Sequence, residues 1–208
     1  MRSNPNVIIP EDAILRIISA AYAVNRGFGL LVEVAAVTGA RVSQLARLEI
    51  GDLQCDRLDP RLMMPSARKG RGRKQIERRP VPIPTNMAIV LNQTGAGRSN
   101  EAPLLTKPNG ELWRPSDHRH PFARAVRSAG FDPAEVTIYA LRHSSIVRQL
   151  LANTPIRVVA TLHDTSVVMI ERTYSKFITD HSDALSRRAL LDTTRLVGEN
   201  IVALKVPS

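Results

Sequence analysis

What most constrains this chain is a run of short helices between Thr137 and Lys176, TIYALRHSSIVRQLLANTPIRVVATLHDTSVVMIERTYSK. Thr137 can cap a helix through YALRHSSIVRQLLAN. On that helix Tyr139, Arg142 and His143 stand at i, i+3 and i+4, so they share a face. Asn153 and Thr154 break the pattern, and Pro155 suits the first turn of a second helix, PIRVVATLH. Asp164 or Thr165 can cap a third, SVVMIERTY, which ends near Tyr174. Short connections keep such helices side by side. A guanidinium, one or two imidazoles and a phenol are thereby brought toward one pocket.

These groups suit phosphate chemistry. Arginine offers a planar fork of donors to two phosphate oxygens. A tyrosine hydroxyl can attack phosphorus and form a covalent intermediate. A histidine can hold a non-bridging oxygen or move a proton. Spacing alone favours the plainer reading, in which Arg142 is a surface arginine and Tyr174 a half-buried packing residue.

Charge narrows the partner. The 208 residues hold 29 Lys+Arg against 19 Asp+Glu, a net charge of +10, and a basic domain of this size usually meets a polyanion, most often nucleic acid. No long basic amphipathic helix speaks for a membrane surface. The most apolar run, Phe28 to Val37, is too short for a bilayer and contains Glu33. Met1 to Pro10 is polar and proline-broken, unlike a secretory signal. Cys55, the single cysteine, excludes an intrachain disulfide and a cysteine-based zinc site and fits a reducing cytoplasm. His118 and His120 lack the i, i+4 spacing of a zinc pair and read as surface or capping residues.

The length allows one good-sized domain or two small ones, and with aromatics at 4% its core must be mostly aliphatic. Residues 1–9 read as a loose lead-in. Pro10-Glu11-Asp12 opens a helix whose Ala13, Ile14, Ile17, Ile18 and Ala21 form an apolar stripe, and Asn25-Arg26-Gly27 ends it. Phe28 to Val37 predicts a second helix, apolar on most sides and therefore central. Thr38-Gly39-Ala40 is a turn, and Arg41 opens a further helical stretch. Leu62-Met63-Met64 and Pro80-Val81-Pro82-Ile83 read as short strands, the second confined to an edge by its prolines. Between them lies a glycine-rich basic segment, Arg68 to Arg79. Its Arg68, Arg71, Arg73, Lys74, Arg78 and Arg79 are expected to contact DNA backbone. Thr85 can cap a helix to Gln93, Ser116 or Asp117 one to about Ala129, and Asp183 to Arg195 forms a last one. The expected fold is mainly α with a small antiparallel β-sheet.

Two segments resemble the tyrosine recombinase (phage integrase) family. Thr38-Gly39-Ala40-Arg41-Val42-Ser43-Gln44-Leu45 resembles the family's T-G-x-R-x-x-E-L, with Gln44 in place of the glutamate. Tyr139-Ala140-Leu141-Arg142-His143 resembles H-x-x-R-H, with Tyr139 at the first histidine. Leu162-His163-Asp164 stands where L-G-H is expected, and Met169 to Tyr174 resembles the helix that carries the nucleophile.

The resemblance implies an enzyme that cuts and rejoins double-stranded DNA through a 3′-phosphotyrosine, with no cofactor or metal. Arg41 and Arg142 would clamp the scissile phosphate, and Tyr174 would attack it. A hairpin lysine, Lys69 with Lys74 as the alternative, would protonate the leaving 5′ oxygen. Tyr139 would donate a hydrogen bond to phosphate, and His143 and Gln44 would support the pocket. Counting back from Tyr174 places Asp164, not His163, at the family's His/Trp position. A carboxylate there would be repelled by phosphate, so His163 is expected to face in and Asp164 to cap the next helix. The implied assembly is a homotetramer on DNA, with an accessory DNA-bending protein among its partners and a C-terminal segment, 181–208, that docks on a neighbouring protomer.

The resemblance spans roughly residues 10–180, the catalytic domain alone. The helical N-terminal domain that the family usually carries has no counterpart in it. The alternatives are a catalytically silent DNA-binding relative and, ranked lower, a type IB topoisomerase-like enzyme.

Overall fold

Asn25 sets the first corner. It adopts an extended conformation (φ −170°, ψ 158°) between α1 (Glu11–Val24) and α2 (Arg26–Thr38). Its side-chain oxygen accepts from Phe28 N at 2.7 Å, while its own N–H donates to Ala21 O. One residue thus closes one helix and caps the next, and α2 begins at Arg26, two residues before the start expected from its apolar run. The computed structural model describes residues 7–66, 77–179, 186–187 and 189–191.

α2 is the central helix, as its composition predicts. Phe28, Leu30, Leu31, Val32, Val34, Ala35 and Ala36 are all buried. It packs against α1, which presents Ala13, Ile14, Ile17 and Ala21, and against α6 (Ile138–Leu151). Each Val, Leu, Ile or Phe among them contributes about 1.5–3 kcal/mol when it leaves water. The family of helices is completed by α3 (Val42–Leu45), α4 (Thr85–Gly95), α5 (Arg119–Ser128), α7 (Ile156–Leu162) and α8 (Val167–Thr179).

A three-stranded antiparallel sheet covers one side, in the order β1 (Leu53–Gln54), β2 (Arg61–Pro65), β3 (Arg78–Pro82). Leu62 pairs with Val81 and Met63 with Pro80, which turns Leu62, Met64 and Val81 into the core. β3 lies at the edge, where prolines that lack an N–H cost no ladder bond. β1 is two residues long and leaves no alternation to read. The mainly helical class with a small antiparallel sheet agrees with expectation.

Several caps differ from their sequence reading. Thr137 holds the N-cap position of α6, but its side chain makes no capping bond. Pro84 takes the cap of α4, and Thr85 is its first residue. α5 starts at Arg119 because Asp117 is engaged elsewhere, with Lys107 Nζ at 2.7 Å and Arg114 N at 3.0 Å, and Ser116 has a positive φ of 76°. Most of the helix expected over 183–195 lies outside the described residues. Among the described residues no helix is long and apolar enough to cross a membrane.

The core has two parts. The larger gathers α1, α2, α4, α5, the sheet and the first turns of α6. The smaller joins Ile146 and Val147 of α6, Val159 and Ala160 of α7, and Ile170 and Tyr174 of α8. The candidate nucleophile therefore sits in a small apolar cluster of its own.

Gly39 is the joint between the two segments that resemble the family, since it lies in the first and contacts Arg142 of the second. It ends α2 in the left-handed region at φ 62° and accepts a hydrogen bond from Arg142 Nη1 at 2.9 Å. A Cβ here would lie 2.5 Å from His163 Nε2 and 2.9 Å from Ser145 Cβ, so only glycine fits. Gly39→Ala is expected to cost about 3 kcal/mol, from the left-handed backbone and overpacking together. Urea unfolding of the variant measures it, and a loss below the error of the experiment would mean that the turn can relax.

Candidate active site

Arg41 enters the site from the start of α3. The turn before it is fixed by Thr38, whose hydroxyl donates to Val34 O and accepts from Ala40 N. Gln44, almost wholly buried, accepts from Arg41 N at 3.1 Å and donates to Pro65 O at 2.8 Å. Without charge it thus ties the arginine's backbone to the end of β2. The Arg41 side chain donates to Tyr139 Oη at 3.3 Å and to Asp164 O at 3.3 Å.

Arg142 comes from the buried side of α6 and is only 5% exposed. Its Nη1 donates to Gly39 O, and its Nη2 donates to His163 O. These bonds aim the guanidinium and tie α2, α6 and the end of α7 together. Burial, then the charge of Arg41, lowers its hold on its proton, yet a guanidinium stays charged at neutral pH. It carries more N–H donors than these two contacts use, so donors remain for an anion.

Tyr174, one turn from the end of α8, has its ring buried and its hydroxyl against His143 Nδ1. Burial pushes its phenol up to about 12; Arg142 opposes the shift and Tyr139 adds to it. Burial, then Arg142, holds the His143 imidazolium below its usual range. Arg41, Tyr139, Arg142, His143, Thr165 and Tyr174 line one cleft of about 210 Å³, floored by Ile146 and Ile170.

His163 and Asp164 depart from expectation. His163 is 1% exposed, and its ring turns into the core instead of the cleft. Its Nδ1 faces Val159 O at 3.0 Å and must carry the proton; its Nε2 faces Ser145 Oγ at 3.0 Å and accepts. Asp164 lies in the left-handed region at φ 49°, a conformation that glycine and aspartate tolerate best. It therefore stands where L-G-H has its glycine, and the next residue, Thr165, is the one that lines the cleft. The left-handed tolerance of aspartate is the sequence signal that points to this register. α8 takes a cap bond from Ser166, whose Oγ accepts from Met169 N at 3.2 Å. The Asp164 carboxylate turns instead to Arg79 at 2.8 Å, Arg41 at 3.7 Å and Gln44 at 3.4 Å.

The arginines of β3 have partners within the protein. Arg78 bonds Asp52 at 2.5 Å and Glu49 at 2.8 Å, and Arg79 bonds Asp164 and, at 2.8 Å, Thr161 O. Both are engaged within the protein because a nearly buried carboxylate, Asp52 or Asp164, requires a cation beside it. Arg68, Lys69, Arg71, Arg73 and Lys74 lie outside the described residues.

His163 makes stability sensitive to acid. Burial first, with Arg142, Arg148 and Arg41 after it, drops its pKa to about 4 against the bond to Val159. The unfolded chain takes up this proton near pH 6.5, so between there and pH 4 the unfolded state binds more protons. Stability is therefore expected to fall by about 3 kcal/mol as pH falls through that window, from this group alone. His143 adds a change of the same sign. Denaturant unfolding at pH 7 and pH 4 measures it, and an unaltered pH slope in His163→Gln would refute the assignment.

The comparisons bear on the fold and on the family. The XerA recombinase crystal structure superposes with a TM-score of 0.63 at 21% identity, over 90% of this chain and 64% of that one. The Tn1549 transposon integrase in complex with circular intermediate DNA gives 0.69 at 18%, over 91% and 69%. The lambda integrase dimer bound to a COC′ core site gives 0.58 at 19%, over 81% and 61%. The chain thus spans about two thirds of the length of these proteins. No curated protein sequence matches it. At these identities the superpositions speak for the fold, while the Phage integrase family model matches the sequence itself over residues 9–177. With both segments inside that match, the chain belongs to the phage integrase family, the tyrosine recombinases.

Proposed function

We propose that the protein is a site-specific DNA recombinase that cuts and rejoins strands of double-stranded DNA through Tyr174. The observation that carries this reading is that Tyr174, Arg41 and Arg142 line one cleft. The DNA complexes among the similar structures support a duplex partner. The two guanidiniums clamp the scissile phosphate and neutralise the charge that builds up in the pentacoordinate transition state. Tyr139, held by Arg41, adds a hydroxyl donor. Tyr174 attacks phosphorus and becomes a 3′-phosphotyrosine, and the 5′ oxygen leaves with a proton from Lys69, or from Lys74 in its place. A 5′ hydroxyl from a second duplex reverses the step. No high-energy cofactor is needed, and arginine charge does the work that a metal does elsewhere. Exchange between two duplexes calls for several protomers, in this reading a homotetramer.

A second reading, a silent DNA-binding relative, is favoured by one observation: the Asp164 carboxylate sits on Arg41. Covalent trapping separates the two. Nicked duplexes carrying the ends of the chain's host element are mixed with the protein and run on a denaturing gel. An SDS-resistant protein–DNA adduct is the expected result. Retained DNA binding with no adduct would leave the silent reading standing.

A further inference from the structure

The nucleophile's proton needs somewhere to go. With its pKa pushed to about 12, the Tyr174 phenol is ionised in roughly one molecule in 10⁴–10⁵ at neutral pH. The position of the first histidine in H-x-x-R-H holds Tyr139, a poor proton carrier. The L-G-H position falls on Thr165, whose hydroxyl takes up no proton at neutral pH. His163 is sealed in the core against Val159 and Ser145. His118 lines a separate cavity of about 420 Å³ beside Phe122 and Pro133, and His120 is exposed on α5. Among the described residues, the imidazole that reaches the cleft is that of His143.

From the contact of His143 Nδ1 with the Tyr174 hydroxyl inside the arginine-lined cleft, we infer that His143 is the general base for the nucleophile. This rests on the reading of Tyr174 as the nucleophile. His143 follows Arg142 on α6, so one helical turn supplies both the clamp and the base. The ring is steadied on two sides. Tyr139 meets it edge-on with centroids 5.4 Å apart, and Tyr174 lies at 5.8 Å with the planes tilted by 50°. The titratable and charged groups around it are Tyr139 and Arg142 on its own helix, Tyr174 on α8 and Arg41 across the cleft. Burial, and after it the charge of Arg142, keeps the imidazole neutral and able to accept.

The step balances. The bond from Tyr174 Oη to phosphorus forms as the bond from phosphorus to O5′ breaks. The phenolic proton passes to His143 Nδ1, giving an imidazolium. O5′ keeps the bonding pair and takes a proton from an ammonium group or water. On rejoining, His143 returns its proton to the tyrosine as the incoming 5′ hydroxyl loses its own. This requires the resting tautomer with hydrogen on Nε2 and a lone pair on Nδ1, the opposite of His163.

Two measurements test it. In ¹⁵N NMR of the full chain labelled at histidine, without DNA, the His143 signal, assigned through its loss in His143→Gln, is expected to show an unprotonated Nδ1 at neutral pH. A protonated Nδ1 overturns the proposal. In single-turnover cleavage of the nicked duplex, His143→Gln keeps a group that can hydrogen-bond to the phenol yet cannot take its proton. It is expected to be about 10²–10⁴-fold slower at unchanged DNA affinity. A parent-like rate in His143→Gln means that the residue only positions Tyr174. Sulfur in place of the bridging 5′ oxygen gives a leaving group that needs no proton. It should leave the variant's defect in place, and restoration by sulfur would make His143 an acid instead of a base. A parent chain that forms no adduct sinks the recombinase reading and this proposal together, whereas an active parent matched by His143→Gln sinks this proposal alone.

Discussion

Phenylalanine at position 174 is expected to abolish covalent joining to DNA while leaving the fold and the affinity for DNA close to those of the parent. Oη is the atom that attacks in the proposed reaction, and no neighbour in the cleft replaces it. The ring, by contrast, belongs to the small cluster with Ile146, Val147, Val159, Ala160 and Ile170, and phenylalanine retains that packing. What phenylalanine gives up is the hydrogen bond to His143, worth about 1 kcal/mol. Gel-resolved adduct and thermal melting separate the two effects. Residual adduct in Tyr174→Phe would mean that another nucleophile acts, and a collapse in melting temperature would mean that the hydroxyl holds α8 in place.

Alanine at position 142 is expected to damage both chemistry and fold. Cleavage should fall by about 10²–10³-fold or more, the usual cost of removing a donor aimed at transition-state charge. Stability should fall as well, because Gly39 O and His163 O lose their buried donor, at about 1–3 kcal/mol for each group left unsatisfied. Arg142→Lys distinguishes the two roles. An ammonium keeps the charge but not the fork, so it cannot span both carbonyls and still present donors to phosphate. Lysine is expected to recover part of the stability and little of the rate. Denaturant unfolding and single-turnover cleavage, measured on the same preparations, give both numbers. Full recovery of rate by lysine would show that charge alone is enough.

The difference between what the sequence disclosed and what it hid follows the range of the interactions. α2 was legible because a helix apolar on nearly every side has to be central. The edge position of β3 was legible because proline lacks the N–H that a central strand needs. Arg41, Tyr139, Arg142, His143 and Tyr174 were legible as a set because helical spacing and two short patterns bring them together, and the cleft contains all of them. The ion pairs of Arg78 and Arg79 were not legible because a basic run shows its charge but not its partners. Asp52 and Asp164 lie far away in the chain and reach these arginines only through the fold. His163 and Asp164 were misjudged because chemistry was weighed where backbone conformation decides. The residue in the left-handed turn takes the glycine's place, and the one before it is carried into the core.

The carboxylate of Asp164 has a consequence for how DNA is received. An arginine clamp is usually pictured as a cationic hollow that waits for its anion. Here the clamp already contains one, shared by Arg79 and Arg41 and reached by Gln44. In the proposed reaction, a phosphate that enters between Arg41 and Arg142 therefore arrives by exchange: it displaces a resident negative charge, and Asp164 keeps Arg79 as a counterion. The site trades one anion for another, and its net charge at rest is set by a turn, not by the clamp alone.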